Sequence, residues 1–295
     1  MCIDLHTHSI YSDGSSTVAE LVDLAVRSGL QGLSLTDHDT VEGCAELKTL
    51  GDQAGLVTLS GVEVSTSLRS HTLHMLGYGI DTSDPAFHRW LVPLQTGRER
   101  RNAVILDKLQ HLGISISQQE VQRISCCGQT GRPHIARLMV QKGVVDSFDS
   151  AFRLYLGRDK PAWESRFSYS AAETIAMIHQ AGGLAVLAHP GMLDAEMRAQ
   201  SQLIRELAGY GLDGIELYYP THSRKMIKKL RAIAAEHKLL VTGGSDFHGI
   251  SRPIHQIAGK NQGFCPPAVI MDELIARLPL IKNEKPRDHA YHSHC

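Results

Sequence analysis

His6 and His8 stand two residues apart in Asp4-Leu5-His6-Thr7-His8-Ser9, where a short apolar run over residues 2–5 opens into a polar mouth. On an extended backbone side chains alternate with a period of two, so both imidazoles point the same way and can reach one cation. Such a pair alone carries little weight. Its weight here comes from carboxylates and histidines that recur at the ends of later strand-like runs: Asp37-His38, Glu63, His74, His189 and Asp246-x-His248. Metal ligation is the commonest use of neutral imidazole, and the chain holds 17 histidines. A second kind of chemistry is offered by Gly131-Arg132-Pro133-His134. Arg132 at a helix start, with Pro133 near the first helical position, puts a fork-shaped donor beside free backbone N–H groups, which makes a phosphate seat. A plain helix start is the competing reading.

The elements that must position these groups alternate from the beginning. Strands are predicted over 2–5, 32–35, 56–59 with 61–65, 71–78, 184–188, 214–217 and 239–242. Helices are predicted over 17–28, up to about 54, from 170, over 195–209 and over 223–237. Thr17-Val18-Ala19-Glu20 and Ser170-Ala171-Ala172-Glu173 both read as capping boxes. Strand–helix units with ionisable strand ends imply a parallel α/β protein whose chemistry lies at the carboxyl edge. The rhythm breaks between 84 and 166, where the pattern is helical over 87–112, 117–124, 133–142 and 147–156. The expected organisation is a discontinuous α/β barrel (1–94 and 167–260), an all-helical insertion (95–166), and a C-terminal helix with a flexible tail (261–295).

Charge divides along the same lines. Residues 97–166 hold 12 Lys/Arg against 7 Asp/Glu, and the remainder holds 18 against 24. Acids gathered around cations beneath a basic cap suit a substrate with several phosphates. The formal charge of the whole chain is −1, so nothing draws it as a body to nucleic acid or a membrane. No apolar stretch approaches the ~18 residues needed to span a bilayer, and Asp4 interrupts any signal-peptide pattern. Cysteines 2, 44, 126, 127, 265 and 295 show no CxxC spacing and no framework, so reduced thiols and a cytoplasmic location are expected. His289, His292, His294 and Cys295 fall in the tail, where they are expected to be disordered.

Six segments taken together, Asp4-Leu5-His6-Thr7-His8-Ser9, Thr36-Asp37-His38-Asp39, Gly61-Val62-Glu63, His74-Met75-Leu76-Gly77-Tyr78, Ala188-His189-Pro190 and Gly244-Ser245-Asp246-Phe247-His248, resemble the polymerase and histidinol phosphatase (PHP) family. The resemblance covers residues 1 to about 250. It implies a distorted (β/α)7 barrel with metals at the strand C-termini. Carried over by position, His6, His8, Glu63 and Asp246 would hold one ion. Glu63, His74 and His189 would hold a second, and Asp13, His38 and His248 a third. Mixed imidazole and carboxylate donors suit two or three divalent transition metal ions, Mn²⁺ first, with Zn²⁺ or Fe²⁺ as alternatives.

Within the family, Gly131-Arg132-Pro133-His134-Ile135-Ala136-Arg137, Arg158-Asp159-Lys160 and Tyr218-Tyr219-Pro220-Thr221-His222-Ser223 look like the subgroup of 3′,5′-nucleotide bisphosphate phosphatases and 5′→3′ exoribonucleases of the ribonuclease AM type. That likeness implies a metal-dependent phosphoesterase that trims short RNA and RNA 5′ ends and removes the 3′-phosphate of nucleotide bisphosphates. Two close cations would make hydroxide from a bridging water at neutral pH and draw charge from the phosphoryl oxygens. Arg132 and Arg137 would neutralise the 5′-phosphate. His134 and His222 are the candidates for protonating the leaving oxygen or binding the scissile phosphate. Glu216 is expected to orient a neighbour. No membrane and no obligate protein partner is expected. The competing readings are a phosphatase of small molecules only and a non-catalytic binding module, the latter predicting missing ligands where nine are present.

Overall fold

The structure, a computed structural model, describes residues 1–125, 129–194, 196–252, 255–259 and 263–283. Strand β1 (Cys2–Thr7) is followed by α1 (Val18–Arg27), β2 (Leu30–Leu35), α2 (Cys44–Ala54), β3 (Val57–Leu68) and β4 (His71–Tyr78). Four helical segments come next: α3 (Pro85–His111), α4 (Gln118–Ser125), α5 (Arg132–Gln141) and α6 (Phe148–Ala151), the last running into a π turn over Phe152–Leu156. Then come β5 (Tyr169–Ser170), α7 (Ala171–Gln180), β6 (Leu184–Leu187), α8 (Gln200–Gly209), β7 (Gly214–Tyr218), α9 (Arg224–Glu236), β8 (Leu240–Gly243) and α10 (Val269–Asn283). Both expected capping boxes form, with Thr17 and Ser170 each accepting from the N–H three residues on.

The strands make one mostly parallel sheet in the order β1-β2-β3-β4-β6-β7-β8, with β5 paired to β3. Two features differ from the sequence reading. The runs 56–59 and 61–65 are one twelve-residue strand, β3, and β4 folds back antiparallel to it. The turn between them leaves only Arg69 and Ser70, with Arg69 at φ 54°, too short for the crossover a parallel strand needs. The expected closed barrel is not completed by strand pairing either. Beyond β8 the chain meets β1 through isolated bridges, Thr7 to Phe247 and Cys2 to Pro267, with the His8 N–H donating to Phe247 O at 2.9 Å.

One apolar cluster joins Ile3, Leu5, Leu59, Leu76, Tyr78 and Val186 of the sheet to Ile270, Met271 and Leu274 of α10, so the C-terminal helix covers one sheet face. α10 is longer than the short helix expected, and the tail beyond 283 lies outside the described residues. Helices α3 to α6 share a cluster of their own, including Ile105, Leu109, Val121, Ile135, Met139, Ala151 and Leu156.

Cys2 and Cys265 form a disulfide, which corrects the expectation of reduced thiols for that pair. A separation of 263 residues gives no spacing signal, because only the fold brings the two together. Cys44 is free and buried, while Cys126, Cys127 and Cys295 lie outside the described residues. Among the described residues no helix is long and apolar enough to cross a membrane.

The approach of β8 to β1 depends on Gly244. A Cβ there would come within 2.3 Å of both the His6 N and Cβ atoms. Gly244→Ala should therefore push the two strand ends apart, costing about 1–3 kcal/mol of overpacking and displacing His6. Urea unfolding together with Mn²⁺ titration checks this, and unchanged stability with unchanged metal affinity would refute it.

Candidate metal centre and phosphate seat

Strand ends and the loops after them deliver the ionisable groups to one place. β1 brings His6 and, one step past its end, His8. β2 runs into His38, β3 carries Glu63, β4 carries His74, β6 leads to His189, and β8 leads to Asp246 and His248. Three sets form in which all donor atoms lie within 4.8 Å of one another: His6, His8, Glu63 and Asp246; His8, Asp13, His38 and His248; and His38, Glu63 and His74. The first matches the expected set. The second gains His8. In the third His38 takes the place expected for His189, whose Nε2 instead meets Glu63 Oε1 at 3.1 Å.

Whether these residues fit metal ions is tested by their hydrogen bonding. Among the described residues, His6 Nε2, His8 Nε2, His38 Nδ1, Glu63 Oε2, His74 Nδ1, His189 Nδ1 and His248 Nε2 are buried without a hydrogen-bond partner. Buried polar atoms almost always find partners, so six of these orphans, all but His189 Nδ1, on residues of the three close donor sets form a cradle for cations. The opposite edges of the rings are committed. His6 Nδ1–H donates to Glu216 Oε1 at 3.0 Å, and His248 Nδ1–H donates to the Asp246 carbonyl at 2.8 Å. Those bonds fix the tautomers that leave each Nε2 lone pair facing inward. Glu216 also accepts the His189 N–H at 2.7 Å, so one carboxylate orients ligand groups from two strands.

Supporting carboxylates hold the loops. Asp37 accepts from the Ser9 N–H at 2.8 Å, the Ser9 hydroxyl at 2.6 Å and the Ser12 hydroxyl, fixing the loop that carries Asp13. Asp4 accepts from the Ser245 N–H and hydroxyl and from the Ala258 N–H. Burial pushes the Asp4 carboxyl up to about 6 despite those bonds. Asp246 turns Oδ2 away to the Tyr219 hydroxyl at 2.9 Å and Arg252 Nη1 at 2.6 Å. Burial alone would raise Glu63, yet His74, His38 and His6 hold it well below the usual carboxylate range. His189, Asp246 and Asp39 all have positive φ, at 30°, 54° and 55°. Strained backbone of this kind gathers at sites that over-determine it.

Beside the cradle lies a patch of guanidinium groups that sequence reasoning missed. Asp39 Oδ2 receives Arg98 Nη2 at 2.6 Å and Arg166 Nη1 at 2.9 Å. These cations outweigh the burial that would otherwise raise Asp39 and hold it far below its ordinary range. Arg101 is only 5 % exposed, and among the described residues it has no carboxylate partner, bonding only Asn102 Oδ1. Burial and then the charges of Arg166, Arg98 and Arg132 lower its affinity for a proton. A buried cation repelled on three sides is costly unless an anion joins it. A signal existed in the sequence: Arg98 and Arg101 fall on the same helical stripe as Leu91, Leu94, Ile105 and Leu109, which all turn inward on α3.

Arg132 is at the start of α5, half-buried, donating to Leu156 O at 3.1 Å and lying over the Phe152 ring. Arg137 is half-buried on the same helix, near enough to His134 to disfavour its protonation. His134 is buried; its Nδ1 accepts the Gly131 N–H at 3.0 Å, so Nε2 carries the hydrogen. Burial brings its pKa down to about 4. His222 uses both ring nitrogens on backbone, Nδ1–H donating to Leu217 O at 3.0 Å and Nε2 accepting the Gly191 N–H at 3.1 Å.

A cluster of metal-binding type beside a buried group of guanidinium side chains, one of them, Arg101, without a carboxylate, is the arrangement of a metal-dependent hydrolase of phosphate esters. Comparison with known proteins agrees: the PHP domain model matches residues 4–208, and the chain belongs to that family. It is 36% identical over 249 residues to a 3′,5′-nucleoside bisphosphate phosphatase of Chromobacterium violaceum, covering 83% of this chain and 87% of that one. It is 32% identical over 247 residues to the 5′-3′ exoribonuclease Rnm of Escherichia coli, covering 83% and 84%. A solved structure from Bifidobacterium adolescentis, described as a metal-dependent phosphoesterase, superposes with a TM-score of 0.85 at 29% identity over 93% of this chain and 96% of that one. The protein is a metal-dependent PHP phosphoesterase.

Because Glu216 fixes both His6 and the His189 backbone, Glu216→Gln should weaken Mn²⁺ binding about 10- to 100-fold. Titration calorimetry reads this directly, and affinity equal to the parent's would refute the orienting role.

Proposed function

We propose that the protein hydrolyses the ester on the 3′ oxygen of nucleotides bearing a 5′-phosphate. Its substrates are then 3′,5′-nucleotide bisphosphates and, from the 5′ end, short RNA. The observation that carries this reading is Arg101: a buried guanidinium without a carboxylate, next to a metal cradle, calls for a second substrate anion. The names of the relatives from Chromobacterium violaceum and Escherichia coli support the same pair of activities.

His6, His8, Asp13, His38, Glu63, His74, His189, Asp246 and His248 hold two or three divalent ions, Mn²⁺ by preference. Such ions, held by these residues, would supply polarisation of the scissile phosphoryl group and a more acidic water. Arg98, Arg101, Arg132 and Arg166 neutralise the 5′-phosphate with planar fork donors, and Arg137 reinforces the field around them. The segment 95–166 acts as a cap that brings these cations over the sheet. His134, neutral at physiological pH with its hydrogen on Nε2, donates a hydrogen bond to a phosphate oxygen. It does not act as a proton source. His222, with both nitrogens engaged, braces the His189 turn against the end of β7 and donates no proton to the leaving group.

The second reading, a phosphatase restricted to small molecules, is favoured by how few exposed aromatic rings could stack on bases. A 5′-labelled oligoribonucleotide separates the two: stepwise release of 5′-mononucleotides supports the exonuclease, and an intact oligomer alongside hydrolysed bisphosphate leaves the phosphatase alone.

Arg101→Met tests the anion seat. Thermal stability should hold or rise, because a buried unpaired charge is removed. The kcat/KM for adenosine 3′,5′-bisphosphate should fall about 100-fold, the loss of two charge-assisted hydrogen bonds. Hydrolysis of adenosine 3′-monophosphate, which lacks the 5′-phosphate, should change little. Equal losses on both substrates would sink the assignment.

A further inference from the structure

Arg101 and Arg166 have a second face. Besides the bonds of Arg101 to Asn102 and of Arg166 to Asp39, they line a groove of about 580 Å³ between α3 and residues 164–167. No residue of the metal cradle lines it, so this groove reaches the guanidinium groups without including the cradle. A seat built for a terminal phosphate would be closed there.

We infer that this groove holds what extends beyond the substrate's 5′-phosphate. The protein then also accepts 3′-phosphorylated nucleosides whose 5′-phosphate is joined to a further phosphoryl group, free or esterified. The inference rests on the 5′-phosphate seat proposed above. Three observations point to a charged extension with an organic end. Arg100, next along α3, is exposed, lines the groove and has no ion-pair partner among the described residues, so a cation waits one step past Arg101. The nearby carboxylate of Glu164 is already held by Lys108 at 2.8 Å and does not repel a phosphate. The remaining walls include Val92, Val104 and Phe167, exposed by 51, 41 and 47 %, which suit a sugar or other carbon skeleton.

The placement of Phe167 is built rather than incidental. A Cβ on Gly97 would lie 2.9 Å from the Phe167 Cβ, so glycine there lets the strap press onto α3. The Phe167 ring meets Tyr169 edge-on at 4.8 Å, and Tyr169 stacks on Trp90 at 4.5 Å. One face of a supported ring is thereby left to the groove. The reaction is unchanged: water adds to the 3′-phosphorus, the bond from phosphorus to O3′ breaks, and O3′ leaves with a proton. Inorganic phosphate departs, and the 5′-diphosphate stays whole.

The test compares initial rates of the full chain with Mn²⁺ on adenosine 3′,5′-bisphosphate and on adenosine 3′-phosphate 5′-diphosphate. The parent protein should release one phosphate from each, with KM for the 5′-diphosphate no higher than for the bisphosphate. Arg100→Ala should raise KM for the 5′-diphosphate about tenfold, one charge-assisted hydrogen bond, and leave the bisphosphate within about twofold. Arg100→Glu should widen that gap. Turnover of the bisphosphate with neither turnover of nor competition by the 5′-diphosphate overturns the inference, as does an equal effect of Arg100→Ala on both. If neither compound is hydrolysed, the 5′-phosphate seat itself is wrong, and the extension falls with it.

Discussion

Glu63 is a buried carboxylate ringed by imidazoles. His74, His38, His189, His8 and His6 approach its two oxygens at 2.8, 3.0, 3.1, 3.3 and 3.4 Å. So many donors and lone pairs cannot satisfy one another, since a neutral imidazole with its hydrogen pointed outward has only a lone pair to offer inward. Cations held among these lone pairs would resolve the frustration. Much of the surrounding structure follows from keeping those lone pairs aimed: Glu216 behind His6, the Asp246 carbonyl behind His248, and Asp37 gripping the loop of Asp13.

Two fields of opposite sign lie side by side. The cradle gathers Glu63, Asp13 and Asp246, and the neighbouring patch gathers Arg98, Arg101, Arg132 and Arg166. Asp39 divides them, its peptide tied to β3 and its carboxylate holding two of the arginines. On the proposed function, a substrate with two phosphates a nucleoside apart would meet both fields at once, while one with a single phosphate would meet only half of the preorganised charge.

Much of the cradle was legible because chemistry-bearing residues stood at the ends of recognisable strands, where alternation fixes which way they point. The structure groups His38 with Glu63 and His74 and leaves His189 on the same Glu63 oxygen as His74, since side chains from four strands share the two Glu63 oxygens and spacing along a chain does not rank them. The antiparallel β4 was hidden because a strand reads alike in either direction; only the two-residue turn at Arg69 and Ser70 tells. Arg98 and Arg101 entered the sequence reading only as part of the basic charge of residues 97–166. Their position on the apolar stripe of α3 was the available clue. The Cys2–Cys265 pair had none, as no local pattern reports contacts between the chain's two extremes.

The seam between β1 and the chain beyond β8 has a consequence for biosynthesis. Asp4 and Ser245, bonded across it, are 241 positions apart, and the ligands His6, His8, Asp246 and His248 flank that same seam. A ribosome releases the first histidines long before the last carboxylate exists. Of the three donor sets, only that of His38, Glu63 and His74 precedes the fifth strand, so a truncated polypeptide ending before the eighth strand lacks Asp246 and His248 and with them the other two sets.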